Sequence, residues 1–204
     1  SALAINDVVN LVGHIQGNDM QASVRVSENN PVSIKQVMDS GVDGVIIPMV
    51  NSLNDAKKAV SSVRYPSFGK RGVGLSRAQN YGIGFEEYKQ WLENDSVIIV
   101  QIEHYLAVEE LESILNLSGV DGIIVGPYDL SASMGLPGDF EHPEVIKTLK
   151  KIDEICLKNK KPLGFHVIYT DQSKSLENVN TVYSFLDVSL DVLFLDDSAR
   201  SEMS

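Results

Sequence analysis

The sequence predicts an α/β protein built on a parallel sheet, and three observations carry that prediction. Short Val- and Ile-rich runs recur along the chain, as strands buried on both faces require. Segments with helical spacing separate them. No hairpin signal joins one run to the next, so each connection reads as a crossover between parallel strands. Pattern alone fits an open, doubly wound sheet and a closed barrel equally well.

The elements follow in order. Helical spacing covers about residues 5–17, and a strand is expected at 21–26. Pro31 suits the first turn of a helix running to about 40, and a strand follows at 44–50. A helix at about 52–62 leads into a Gly-rich loop at 64–84, then a helix at about 85–93 and a strand at 97–103. After one more helix come a strand at 121–126, a short helix from about 129 and a long helix at about 143–159. Strands near 163–168 and 191–196 bring the expected count to six. Gly41-Val42-Asp43-Gly44 and Gly119-Val120-Asp121-Gly122 each read as a helix-ending glycine turning into a strand. The chain opens just before a helix and closes on what reads as the first turn of another, so further elements are expected beyond both ends.

Bulk composition narrows the function classes. With 204 residues, 43% of them hydrophobic, the chain can bury one sizeable core, and residues 1–204 are expected to form a single domain. Lys and Arg number 17 against 28 Asp and Glu, a net charge of -11, and no basic run stands out. Nucleic acid and anionic membrane surfaces are therefore not expected partners. The single cysteine, Cys156, falls on the apolar stripe of a helix, which excludes an internal disulfide and fits a reducing cytoplasm. No apolar stretch approaches the roughly 18 residues of a membrane helix.

Two of the apolar runs deliver an acid where the strand should emerge from the core. Val97 to Val100 leads into Gln101-Ile102-Glu103, and Ile123 to Val125 leads into Gly126-Pro127-Tyr128-Asp129. Ligand chemistry in parallel sheets gathers at the carboxyl ends of strands, so Glu103 and Asp129 are candidate metal ligands. Two hard oxygen donors suit Mg, Mn or Co. Asp129 also stands where an acid would cap a helix, and it can do both. Arg25 ends its strand at the same edge, where a guanidinium can clamp a carboxylate or steady an enolate oxygen. Gln101 lies two residues before Glu103 and shares its face; it reads equally as a ligand contact or as a buried amide satisfying backbone groups. Gly126 and Pro127 shape a turn that would present the amides of Tyr128 and Asp129 to an anion, or simply start a helix. Gly69 to Gly84 holds five glycines with Arg71 and Arg77 and reads as a mobile lid or a subunit contact. His104 is turned away from the side of Glu103, and His14 and His142 look structural. No lysine ends an apolar strand, which argues against Schiff-base chemistry.

Arg64-Tyr65-Pro66, Gly69-Lys70-Arg71-Gly72-Val73-Gly74, Gln101-Ile102-Glu103, Gly119 to Ser131, Met134-Gly135 and His142-Pro143-Glu144, in this order, closely resemble the class II pyruvate aldolases of HpcH/HpaI type. The resemblance implies a (β/α)8 TIM barrel whose first βα unit, second strand and last helix lie outside this chain. It implies a divalent metal on Glu103 and Asp129, pyruvate contacts from Arg25, Gln101 and the Gly126 to Asp129 turn, and a catalytic histidine upstream of Ser1 paired with Asp39. Asp39 also reads as a plain solvated acid at a helix end. His166 departs from the family pattern, which is usually apolar there; it reads either as a substrate-binding position of altered specificity or as a neutral, hydrogen-bonded histidine. The implied activity is cleavage of a 2-keto-3-deoxy acid to pyruvate and an aldehyde, by a cytoplasmic homo-oligomer of two to six subunits. Two other readings stay open: an acyl-CoA lyase of citrate-lyase β type, which needs a basic surface for CoA, and a barrel that binds ketoacid without catalysis.

Overall fold

The computed structural model describes residues 3–167 and 182–203. Its sheet has six strands, β1 (Ser23–Arg25), β2 (Gly44–Ile47), β3 (Val97–Ile102), β4 (Gly122–Val125), β5 (Leu163–Val167) and β6 (Phe185–Val188). They pair in chain order, every pair parallel, and the sheet curls into half a barrel. Around it run α1 (Ile5–Gln16), α2 (Pro31–Asp39), α3 (Leu53–Val63), α4 (Phe85–Asn94), α5 (Tyr105–Leu115), α6 (Pro127–Ser133), α7 (Pro143–Asn159) and α8 (Asp191–Met203). No helix among the described residues is long and apolar enough to cross a membrane.

The local chemistry explains the boundaries. Asn30 takes an extended backbone before α2, and its side-chain oxygen accepts from the amides of Val32 (2.8 Å) and Ser33 (3.4 Å), while Pro31 needs no partner at the first position. Replacing Asn30 with Ala should cost about 1 kcal/mol of folding free energy, read as a lower urea midpoint with unchanged slope. His142 caps α7 in the same way through the Glu144 amide, and His104 caps α5 through the Leu106 amide. His14 donates to the Asn10 carbonyl within α1. Three of the four histidines thus have local structural work.

Strands β3 and β4 are the centre of the core. Ile98, Val100, Ile102, Ile123 and Val125 are buried, with Leu111 and Ile114 of α5 and Ile152 and Cys156 of α7 packed in the same cluster. Cys156 sits on the apolar stripe as expected, and burial pushes its thiol up to about 12.

Three expectations need correction. The run at 191–196 is the first half of α8, and the sixth strand is Phe185–Val188 instead. A short apolar run fits strand or helix equally well until its pairing is known, and here His166 of β5 pairs with Asp187 of β6. Strand β2 stops at Ile47, short of position 50, because Met49 adopts a left-handed backbone with φ 53°. The glycine-rich loop is also no lid over the carboxyl ends of these strands. Arg64 donates to Ser96 just before β3 (2.6 Å), and Arg77 donates to the Ser40 carbonyl at the end of α2 (2.7 Å), which ties the loop to the opposite edge of the sheet. Position 168 of the expected fifth strand lies outside the described residues.

Candidate active site

The carboxyl ends of the strands open onto a cavity of about 320 Å³. Arg25, Gln101, Glu103, Gly126, Pro127, Tyr128, Asp129 and His166 all line it. Sequence reasoning missed Asp187 there, along with the apolar walls Ile46, Ile124 and Leu190. Asp187 was hidden because its strand was placed one element too late.

Glu103 is the centre of the site. It stands one residue beyond β3, only 4% exposed. Its Oε1 accepts from the Met49 amide at 2.7 Å, and its Oε2 accepts from Gln101 Nε2 at 2.7 Å. The alternation that put Gln101 and Glu103 on one face therefore holds. Met49 spends a rare backbone conformation to aim its N–H at this carboxylate, a residue no motif marked. Burial pushes the Glu103 carboxyl above its ordinary range; the Met49 hydrogen bond opposes this, contact with Asp129 adds to it, and Arg25 offsets part of it.

Gly126 is required by close approach. A Cβ there would meet Gln101 Nε2 at 2.8 Å and Glu103 Oε2 at 3.1 Å. Gly126 then caps α6, with Pro127 at its first position, and the first amide to bond back is that of Leu130, to the Gly126 carbonyl at 3.0 Å. The Tyr128 and Asp129 amides precede it in the turn and have no such partner within the helix. Tyr128 is held by an edge-on contact with Phe140 at 4.8 Å.

Asp39 does not join this site. A helix that follows a parallel strand runs back along it, so the last residue of α2 sits at the far edge of the sheet from Arg25, the last residue of β1. There it pairs with Lys35 and lines another cavity with Lys57, Lys58, Lys70 and Arg71. A basic surface thus exists, assembled from three segments that contain no basic run.

The donor set fits a hard divalent cation. Glu103 and Asp129 are close enough to share a hydrogen bond, and their mutual repulsion is what a cation between them would relieve. Gln101 Oε1 is buried without a partner, an open oxygen beside the two acids. No group of three His, Cys, Asp or Glu that could hold a metal gathers among the described residues, which leaves Glu103 and Asp129 as the candidate anionic pair. Replacing Gln101 with Leu removes the amide that orients Glu103 and should weaken Mn binding about 10- to 100-fold by calorimetric titration.

Comparison with known proteins agrees with this geometry. The HpcH/HpaI aldolase/citrate lyase family model matches residues 2–196. A 2-keto-3-deoxy-L-rhamnonate aldolase of Escherichia coli O1:K1 / APEC is 33% identical over 206 residues, covering 98% of this chain and 76% of that protein. The solved structure of an HpcH/HpaI aldolase/citrate lyase family protein from Burkholderia cenocepacia J2315 superposes with a TM-score of 0.90 at 29% identity, over 98% of this chain and 79% of that one. That of an HpcH/HpaI aldolase from Desulfitobacterium hafniense DCB-2 gives 0.89 at 29% identity, over 100% and 78%. Divalent-metal dependence is typical of the class II aldolases in this group. With two acids, an arginine and a glycine turn at its strand ends and a family match along nearly its whole length, the chain belongs to the HpcH/HpaI aldolase/citrate lyase family.

Proposed function

We propose that this protein is a divalent-metal-dependent aldolase that cleaves a 2-keto-3-deoxy acid to pyruvate and an aldehyde. The observation that carries the reading is that buried Glu103 and exposed Asp129 line one mouth with Arg25 and Gln101, where the charge of Asp129 helps to push the Glu103 carboxyl up. A sugar-acid substrate follows from the relatives named as 2-keto-3-deoxy-L-rhamnonate aldolases.

Cleavage breaks the C3–C4 bond and leaves its electron pair on the pyruvyl fragment as an enolate. A Mg, Mn or Co ion on Glu103 and Asp129 would supply positive charge where the keto oxygen becomes negative. Arg25 adds a second cationic contact, and its fork matches the ketoacid carboxylate. The Tyr128 and Asp129 amides receive that same carboxylate, while Ile46 and Ile124 keep water from the carbon that carries the charge. Gln101 and Met49 hold Glu103 in place. The protein works as a single domain in the cytoplasm, as a homo-oligomer of two to six copies.

An acyl-CoA lyase reading would use the basic surface for CoA phosphates. That surface, around Lys35, Lys57, Lys58 and Lys70, runs along α2 and α3 and shares no residue with the mouth. Pyruvate binding tests the site directly. Calorimetry should show tight pyruvate binding with Mn present and little without it, and equal affinity in both states would sink the proposal.

A further inference from the structure

The basic cavity along α2 and α3 holds a buried charge that no described residue neutralises. About 820 Å³ in volume, it is lined by Lys35 of α2, by Lys57 and Lys58 of α3, and by Lys70 and Arg71 of the loop that follows. In a chain of net charge -11, five of the 17 Lys and Arg meet here, and Asp39 is the only acid of the lining. Lysines alone would make an ordinary solvated face; Arg71 is different. The Lys70 amide donates to the Ser61 carbonyl at 2.7 Å and the Arg71 amide to the Arg64 carbonyl at 3.0 Å, which pins the loop against the end of α3. The Arg71 side chain turns inward and is only 2% exposed. Its guanidinium lies 4.4 Å over the Tyr65 ring, and Nη2 donates to the Tyr88 hydroxyl at 2.9 Å. Burial holds the Tyr88 phenol above its ordinary range, so this partner is neutral. Nε and Nη1 are buried with no hydrogen-bond partner, and Arg71 makes no ion pair among the described residues. A buried guanidinium without a counter-charge is costly, and an anion in the cavity it borders would supply one.

We propose that this cavity is a binding site for a phosphate group, either inorganic phosphate or a small phosphate monoester. The four lysine ammoniums of the lining are point charges that cannot fork. They suit a tetrahedral dianion with several acceptor oxygens better than a single planar carboxylate. Asp39 sharpens the choice. Its Oδ2 is taken by Lys35, while its Oδ1 is buried with no partner. That oxygen can accept from a P–OH, a donor that phosphate retains near neutral pH and sulfate lacks. The cavity shares no residue with the mouth, so the proposal does not depend on the aldolase reading.

The test is calorimetric titration of the protein with inorganic phosphate, glycerol phosphate and sulfate at constant ionic strength. Metal is stripped first, so that no cation at Glu103 and Asp129 can hold the anion. One saturable site is expected, with sulfate about 10-fold weaker than phosphate, and the tighter of the two phosphate ligands names the source. Lys58 and Lys70 are exposed, so K58A and K70A should fold normally and each weaken binding about 5-fold. Phosphate should also raise the Tm of the unaltered protein more than that of the K58A/K70A double variant. R71M keeps the bulk of the side chain without its charge and should weaken binding by about 10-fold or more; if R71M does not fold, the lysine variants decide. Absence of saturable binding, sulfate bound as tightly as phosphate, or unaltered affinity in K58A/K70A overturns the proposal. So does binding that weakens as protein concentration rises, which would mean that acidic side chains of a second copy fill the cavity.

Discussion

Replacing Glu103 with Gln is expected to reduce metal-dependent pyruvate release by about 10³-fold, the rate equivalent of the several kcal/mol a cation supplies to a developing enolate. The substitution keeps the shape of the side chain and can still meet Gln101 and the Met49 amide, so the fold should survive and the loss should be one of charge. Mn titration would show the cause as a collapse in metal affinity. The unaltered site adds a pH dependence. Burial raises the Glu103 carboxyl above its ordinary 4.5, so protons compete with the metal from a higher pH than for a free glutamate. Metal affinity should fall as the pH drops towards that raised value. Without metal the sign for stability is opposite to that of an ion-paired acid. The unfolded chain releases this proton first, so stability declines as pH rises from 4.5 through the raised native value and is greater below that window. In E103Q both dependences should vanish.

Arg25→Ala carries the second large effect, a loss of about 10²-fold in kcat/KM, comparable to removing one charge-stabilising donor from an active site. Arg25 ends β1 opposite Ile46 and projects into the mouth from an exposed position. Solvent screens its charge until a ketoacid covers it, so its main contribution comes in the closed complex. Arg25→Lys should restore little, because a point charge does not reproduce the two-pronged match to a carboxylate. Steady-state kinetics separate the parts: a raised KM reports lost carboxylate binding, and a lowered kcat reports lost stabilisation of the enolate. Wild-type values for both in R25A would remove Arg25 from the site.

Much of this was legible in the sequence because it is local. Val and Ile runs mark β3 and β4, the first polar residue after each marks the exit, and period-two alternation puts Gln101 beside Glu103. Pro31 and Asn30 announce the start of α2. What was hidden depends on register and direction. Met49 reaches Glu103 only through a left-handed backbone across the β2 to β3 gap. Asp187 faces His166 only once β6 is aligned, and the 191–196 run drew the strand assignment away from it. Asp39 follows Arg25 by fourteen positions, a spacing that ignores the helix reversal and so cannot tell which edge of the sheet it reaches. The cluster of Lys35, Lys57, Lys58, Lys70 and Arg71 arises from three separate segments, which no search for a basic run detects.

The most direct test is pyruvate release from a panel of 2-keto-3-deoxy sugar acids, followed by a coupled assay in protein stripped of metal and then supplied with Mg, Mn or Co. A metal-dependent aldolase will be silent when stripped, active with at least one of these ions, and silent again after EDTA or in E103Q. Cleavage that survives EDTA, with the ketoacid trapped on the protein by borohydride, would contradict the metal site and point to a Schiff base in its place.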